Sequence, residues 1–371
     1  MPTSPAQPPV PQAAPLISVV LPVYGVRQYL ADCLDSILGN GADIGMEVIA
    51  VDDASPDGCG ALLDDRARTD QRLTVVHLDR TGGPGNARNV GLARAAGRYV
   101  WFVDGDDLLA PGALTAVGDA LAADGPDVLL FDYQNLYPDG STGPSYGGAL
   151  LRAAPRRIFT LADAPELIEL TMTSWSKVLR RDFLIGLDEP FRNGIHEDVP
   201  VTCAALLAGR LAALAAVCYS YRRSRLGSFM ATTSTGHAAI FASYSEVFDL
   251  LAKRVAAADP VATPAVQVAV FERAIWHYTA VLQSGGLGLS RIGRPGLVPR
   301  GERRAFFRRM HADFIEHRPA GYRHRPGARG AKFRLIERDA YCTYEVLEPV
   351  NRLRIALRGS GRASGGSGPL Q

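Results

Sequence analysis

The chain has 371 residues, with 40 lysines and arginines against 38 aspartates and glutamates, 47% hydrophobic residues and 21% charged ones. That length allows two domains, or one large α/β domain with an appendage, and the composition excludes a disordered chain or a collagen-like fibre. The cysteines, five at positions 33, 59, 203, 218 and 342, form neither a disulfide framework nor a CxxC zinc site, and they point to a reducing compartment.

The net charge of +2 hides an asymmetry, because 18 basic but only 7 acidic residues lie beyond residue 290. Such a stretch is either a solvated arginine-rich surface or a face for a polyanion. Only Lys177, Lys253 and Lys332 among the basic residues are lysine, a bias that suggests GC-rich, bacterial coding.

The first fifteen residues contain six prolines and lack the basic and apolar segments of a secretory signal, which predicts a disordered leader. ISVVLPVY, residues 17 to 24, is a continuous β-branched run suited to a strand buried on both faces. Leu30, Cys33, Leu34, Ile37 and Leu38 then recur at helical spacing. MEVIAVDD predicts a second strand, and Ser55-Pro56-Asp57 predicts the N-cap of a helix running to about Arg68. LTVVHLDR, a glycine-rich segment with a helix, RYVWFVD, a helix over 112–123 and DVLLFDYQ continue the alternation. A doubly wound, mainly parallel α/β sheet follows.

Beyond Gly140 the alternation stops, and the chain is expected to be loop-rich to about residue 160. HEDVPVTCAALLAG reads as a helix and LAALAAVCYSYR as a helix-to-strand unit. Arg210 interrupts this most apolar stretch and, at about 2.5 to 3.5 kcal/mol in a bilayer centre, argues against a membrane span. Residues 237 to 283 predict helices broken near Pro260 to Pro264, and 301–318 and 333–357 predict arginine-rich helices.

Two strands end in clustered acids, Asp52-Asp53 and Asp104-Gly105-Asp106-Asp107, and in an open parallel sheet strand ends form the ligand crevice. Carboxylates crowd there only when a cation or a donor-rich ligand compensates. Asp-x-Asp after an apolar strand is a hard-oxygen pair suited to Mg²⁺ or Mn²⁺ with substrate phosphates. The alternative is helix capping, as for Asp107. In Gly83-Pro84-Gly85-Asn86-Ala87-Arg88 a dinucleotide fingerprint fails at Arg88, whereas a tight turn into a helix brings Arg88 to an anion or to the Asp104 cluster.

The ordered set ISVVLPVYG, EVIAVDDASPDG and TGGPGNARNVGLARAAGRYVWFVDGDD resembles the family 2 glycosyltransferases of the GT-A fold. The resemblance covers residues 17 to about 225, with Thr81 where the family usually has Asn and Gly105 where it usually has Ser. It implies an α/β GT-A fold with a helical, Arg-rich C-terminal region. It implies a donor pocket of Pro22, Tyr24, Asp52, Asp53, Arg88 and Asp104, with the cation, Mn²⁺ or Mg²⁺, on Asp106. His196-Glu197-Asp198 resembles the family's acidic pair, with Asp198 as general base and Glu197 as the alternative, although first-turn acids also stabilise a helix N-terminus. Trp175-Ser176-Lys177 resembles an acceptor-side segment: Trp175 either stacks on a sugar or packs in the core, Lys177 either holds a phosphate or does not, and His196 lies alongside.

The expected function is inverting transfer of a sugar from a nucleotide-sugar to an acceptor hydroxyl in surface polysaccharide synthesis. The acceptor would be a saccharide, a polyol phosphate or lipid-linked, with no nucleic acid involved. The protein would be cytoplasmic, docked at the inner membrane face if the basic region meets anionic lipid. A nucleotidyltransferase and a silent nucleotide-sugar or polyanion scaffold are the competing readings. The expected division is a leader 1–15, a catalytic domain 16–235, a helical basic region 236–358 and a flexible tail 359–371.

Overall fold

The structure, a computed structural model, describes residues 14–40, 44–170, 172–223, 234–283 and 296–346. The leader through residue 13, the tail and the end of the predicted 333–357 helix lie outside the described residues. The chain divides into two compact units. The first comprises Met1–Phe159, Thr173–Asn193 and Gly209–Arg223, and the second Thr160–Met172, Gly194–Ala208 and Ser224–Gln371. Where the sequence suggests a single cut at 235, the segments 160–172 and 194–208 thus join the second unit.

In the first unit, β1 (Ile17–Val23), β2 (Met46–Asp52), β3 (Leu73–His77) and β4 (Tyr99–Phe102) alternate with α1 (Arg27–Leu38), α2 (Cys59–Ala67) and α3 (Gly83–Arg94). After β4 come β5 (Leu108–Leu109), α4 (Ala113–Asp124), β6 (Val128–Leu136), β7 (Thr142–Pro144), α5 (Gly148–Ala153), β8 (Lys177–Arg180), α6 (Arg181–Gly186) and, after a passage through the second unit, β9 (Leu211–Arg222). The sheet order is β3-β2-β1-β4-β8-β6-β9-β5, with β7 paired to β6. β1 pairs in parallel with β2 and β4, and β2 with β3, as their nearly unbroken burial predicts. Beyond β4 the sheet becomes mixed, because β8 enters antiparallel to both β4 and β6 while β9 runs parallel to β6. Leu30, Cys33, Leu34 and Ile37 of α1 pack into the core beneath this sheet.

Three local expectations change. The loop-rich stretch after Gly140 contains β7 and α5. Residues 211–222 are extended throughout, although Ala-rich, because the ladder with β6 outweighs a helix preference of at most about 0.7 kcal/mol per residue. α2 starts at Cys59 after Gly58, whose φ of 82° no β-branched residue would tolerate. Ser55 does not cap it; the Ser55 amide donates to Asp52 Oδ1 and its hydroxyl to the Val23 carbonyl.

The second unit holds α7 (Val199–Ala208), α8 (Ala239–Ala256), α9 (Pro264–Gln283), α10 (Arg303–His317) and α11 (Ala328–Glu337). α8 and α9 break where the prolines predict, and the helix expected over 333–357 is interrupted after Glu337, with Asp339 at a φ of 48°, before residues 341–346 turn helical again. Several of this unit's arginines pair with carboxylates: Arg325 with the buried Glu272 at 2.6 Å, Arg309 with the buried Asp313 at 2.9 Å, and Arg329 with Glu169 at 2.7 Å. No helix among the described residues is long and apolar enough to cross a membrane.

Helix α3 lies against β1 so closely that a Cβ on Gly91 would overlap Val20 Cγ1. Gly91→Ala should therefore destabilise the protein by about 1 to 3 kcal/mol in urea unfolding, despite alanine's higher helix propensity.

Candidate active site

The rim of the first unit is built where β1, β2 and β4 end. Val23 pairs with Asp52 in the β1–β2 register, so Pro22 and Tyr24 stand beside the Asp52-Asp53 corner. Tyr24 is 51% exposed, a ring offered to solvent rather than to the core. The acid loop after β4 closes on the same end, since a Cβ on Gly105 would lie 3.3 Å from the Pro22 carbonyl and 3.2 Å from Val26 Cγ2. The glycine in the middle of this motif fits that close approach.

Asp53 is buried and organises the glycine-rich loop. Its carboxylate accepts the Thr81 hydroxyl at 2.8 Å, the Gly82 amide at 2.7 Å and the Gly83 amide at 2.8 Å. Thr81, standing where the family usually has asparagine, thus supplies one of these donors. Pro84 sits in the first turn of α3, where its missing N–H and fixed φ suit the helix start. Asp52 is also engaged, with the Ser55 amide at 3.0 Å and His77 Nδ1 at 3.2 Å. A cleft of ≈ 560 Å³ opens beside this loop, lined by Leu78, Asp79, Arg80, Thr81, Gly82, Asn86 and Asn193.

Arg88 lies nearly buried on α3, and its Nη2 donates to Asp104 Oδ1 at 2.8 Å. Of the two alternatives read from the sequence, the structure shows the pairing with Asp104, which holds the guanidinium at the acid rim. Its carbon also lies 5.7 Å from the Phe191 ring centroid, and Asn89 fixes that segment by exchanging two hydrogen bonds with the Phe191 backbone.

Asp107 is no helix cap, because α4 begins six residues later behind Gly112. Its buried carboxylate accepts the Tyr219 hydroxyl at 2.8 Å and the Arg222 amide at 2.7 Å. Burial, with Asp106 and Asp104 adding repulsion, holds the Asp107 carboxyl well above the usual range. Tyr219 also accepts the Asp104 amide at 3.1 Å, and Arg222 Nε donates to the Asp106 carbonyl at 2.9 Å. Asp104 and Asp106 thus crowd negative charge against Asp107, an environment that favours a cation. Among the described residues no three acidic, histidine or cysteine groups converge as a closed metal cage. The donor set instead fits a hard divalent ion held by Asp106 and completed by ligand phosphates and water, as Mg²⁺ and Mn²⁺ sites commonly are.

Trp175 does not present a face to solvent. It is 4% exposed, stacked with Tyr219 at 4.5 Å and Tyr221 at 5.4 Å, with Tyr133 against its edge. The expectation of sugar stacking yields to packing, since the neighbouring rings of β9, distant in sequence, enclose it. Lys177 is also buried, and its ammonium donates to the Thr173 carbonyl and to Ser176 Oγ at 2.9 Å.

His196, Glu197 and Asp198 belong to the second unit, immediately before α7. His196 adopts a φ of 66° and is buried, Glu197 is buried, and Asp198 is half-buried with its carbonyl accepting the Thr202 amide of the first helical turn. Tertiary structure adds what no spacing showed: His237 and His277 pack around His196, with His237 Nδ1 3.5 Å from His196 Nε2 and the His277 ring 5.3 Å from that of His196. Burial, reinforced by His237, pushes His196 down to about 3, and burial with Arg273 and His196 pushes His277 well down.

Residues 18–184 match the model of glycosyl transferase family 2. The chain carries a family 2 glycosyltransferase domain. The uncharacterized glycosyltransferase EpsJ of Bacillus subtilis is 29% identical over 220 residues, spanning 57% of this chain and 62% of that protein. The putative teichuronic acid biosynthesis glycosyltransferase TuaG of the same organism is 43% identical over 93 residues, 25% of this chain and 36% of that protein. The chain thus spans less than two thirds of these curated relatives. S. aureus TarS 1–349 in complex with UDP-GlcNAc superposes with a TM-score of 0.66 at 21% identity, covering 91% of both chains. The glycosyltransferase domain accordingly has the GT-A fold.

Sequence reasoning about this domain missed Tyr219, Arg222 and Phe191, which carry no motif and reach the rim only through β9 and a loop held by Asn89. Removing the Asp53 carboxylate should release the glycine-rich loop: Asp53→Ala is expected to lose about 2 to 4 kcal/mol of stability in urea unfolding and to raise hydrogen exchange at Gly82 and Gly83. A second expectation concerns pH. His196 and His277 take up protons in the unfolded chain below about pH 6.5 but not in the folded one, so each contributes stability that is lost as pH falls through that value. The slope is about 1.4 kcal/mol per pH unit per histidine, while His77, raised by Asp64 and Asp52, acts in the opposite direction. Urea unfolding at pH 7 and pH 5 should show a smaller pH loss in His196→Gln than in wild type.

Proposed function

We propose that the protein is an inverting, metal-dependent glycosyltransferase that moves a sugar from a nucleotide-sugar to an acceptor hydroxyl in cell-surface polysaccharide synthesis. The observation that carries this reading is the single rim on which Tyr24, Asp52, the Arg88–Asp104 pair and Asp106 meet. The family of the domain and the GT-A fold shared with a UDP-GlcNAc-bound neighbour support it.

Pro22, Tyr24 and Asp52 line the base and ribose side. Asp53 acts one step back, by shaping the loop that starts α3. Arg88 and Asp104 hold each other in register with the donor's ribose and diphosphate, and Asp106 holds the cation. A divalent ion there supplies charge stabilisation for the departing diphosphate. Arg222, against Asp106 from behind, fixes the backbone that aims this carboxylate.

Asp198 takes the proton from the attacking acceptor hydroxyl, with Glu197 beside it, and His196 holds the turn through its histidine neighbours. A single displacement of this kind inverts the anomeric centre. Trp175 supports Tyr219 and the acid loop, and Lys177 fixes the turn at Thr173. The acceptor is a saccharide, polyol phosphate or lipid-linked sugar.

The test is nucleotide-sugar turnover against a panel of donors with Mn²⁺ or Mg²⁺. Asp106→Ala is expected to abolish metal-stimulated turnover; an unchanged rate would remove the cation role. Asp198→Asn should lower transfer by about 10² to 10⁴ while donor binding by calorimetry persists. Loss of donor binding in that variant would argue against a base.

A further inference from the structure

Several buried or half-buried charges of the second unit have a partner of opposite charge. Glu272 meets Arg325 and Tyr322, Asp313 meets Arg309 and Tyr278, and Glu169 meets Arg329. Arg273, on α9, is 5% exposed, yet among the described residues its guanidinium makes no hydrogen bond or ion pair. The Trp276 ring lies 5.1 Å from the guanidinium carbon. A cation removed from water without a counter-charge is unfavourable, and evolution seldom retains one where an apolar side chain would pack.

The surroundings explain what would retain it. One helical turn onward His277 is half-buried, as is Trp276. His277 Nδ1 is taken by the Tyr244 hydroxyl at 3.1 Å, and its ring lies against that of His196. Arg273 and Asp198 both act electrostatically on the Tyr244 hydroxyl, the partner of His277. A guanidinium fork with imidazoles close by is a donor set for a tetrahedral oxyanion.

We propose that Arg273, with His277, forms an anion site in the second unit that binds a phosphoryl group of the acceptor. The assignment to the acceptor rests on the reading of Asp198 as base, whereas binding of an oxyanion at Arg273 does not. The phosphoryl group has two possible sources, an acceptor phosphodiester or the donor's diphosphate, and the experiment separates them.

The full chain is titrated with inorganic phosphate by calorimetry, with and without saturating nucleoside diphosphate and Mn²⁺. Phosphate binding is expected, with a Kd at least tenfold weaker in Arg273→Met and weakened less in Arg273→Lys, which keeps the charge but loses the fork. Thermal unfolding in phosphate-free buffer should show Arg273→Met as stable as wild type or more so, with the phosphate-induced rise in Tm gone. Phosphate binding that persists with the nucleoside diphosphate present assigns the site to the acceptor; full displacement assigns it to the donor and overturns the proposal. No phosphate binding by wild type, or equal binding by Arg273→Met, also overturns it. Destabilisation of Arg273→Met without phosphate, with His277→Gln leaving phosphate affinity intact, would show a packing role and overturn it too. Because these readouts need no sugar transfer, loss of the base role for Asp198 is recognised separately, in the Asp198→Asn kinetics.

Discussion

The first unit depends on a concentration of negative charge at the carboxyl ends of its strands. Asp104, Asp106 and Asp107 occupy four consecutive positions, and such crowding is unfavourable unless each group finds its own answer. The answers differ. Asp104 is ion-paired to the nearly buried Arg88, Asp107 is taken by the Tyr219 hydroxyl and the Arg222 amide, and Asp106 stands half-buried at the rim. One carboxyl is thus held by a cation, one is driven toward protonation, and one stays at the rim, where a divalent ion would meet it. The arrangement divides three chemically equal side chains into three roles by environment alone.

That division draws on distant parts of the chain. Arg88 is delivered by α3, whose start is shaped by Asp53 holding Thr81, Gly82 and Gly83. Tyr219 and Arg222 are delivered by β9, which follows the excursion 194–208 into the second unit. The mixed half of the sheet therefore serves the parallel half: it brings hydrogen-bond donors to the floor of a rim that β1, β2 and β4 define. In the second unit the balance is reversed. Among the described residues Glu272, Asp313 and Glu169 are met by arginines, while Arg273 is a buried guanidinium in a unit whose His196 and His277 are kept neutral by burial.

The parallel core was legible because β1, β2 and β4 are short apolar runs ending in acids, a pattern that needs burial on both faces and a polar rim. The helices of the second unit were legible from their periodicity, and the break near Pro260 to Pro264 from proline chemistry. The extended course of 211–222 was not, since alanine's preference is weak and the partner strand is some eighty residues away. Trp175 was readable only as one of two alternatives, because stacking on a sugar and stacking on Tyr219 ask the same of an indole ring.

The sequence alone determined the family resemblance, the alternation of strands and helices through the first half of the chain and the positions of the acids, because each depends on neighbours within a few residues. Tertiary structure decided which acid is paired, which is buried and which stands at the rim, and it brought His196, His237 and His277 into one cluster. Those outcomes depend on local dielectric and on partners far along the chain, which no local spacing encodes.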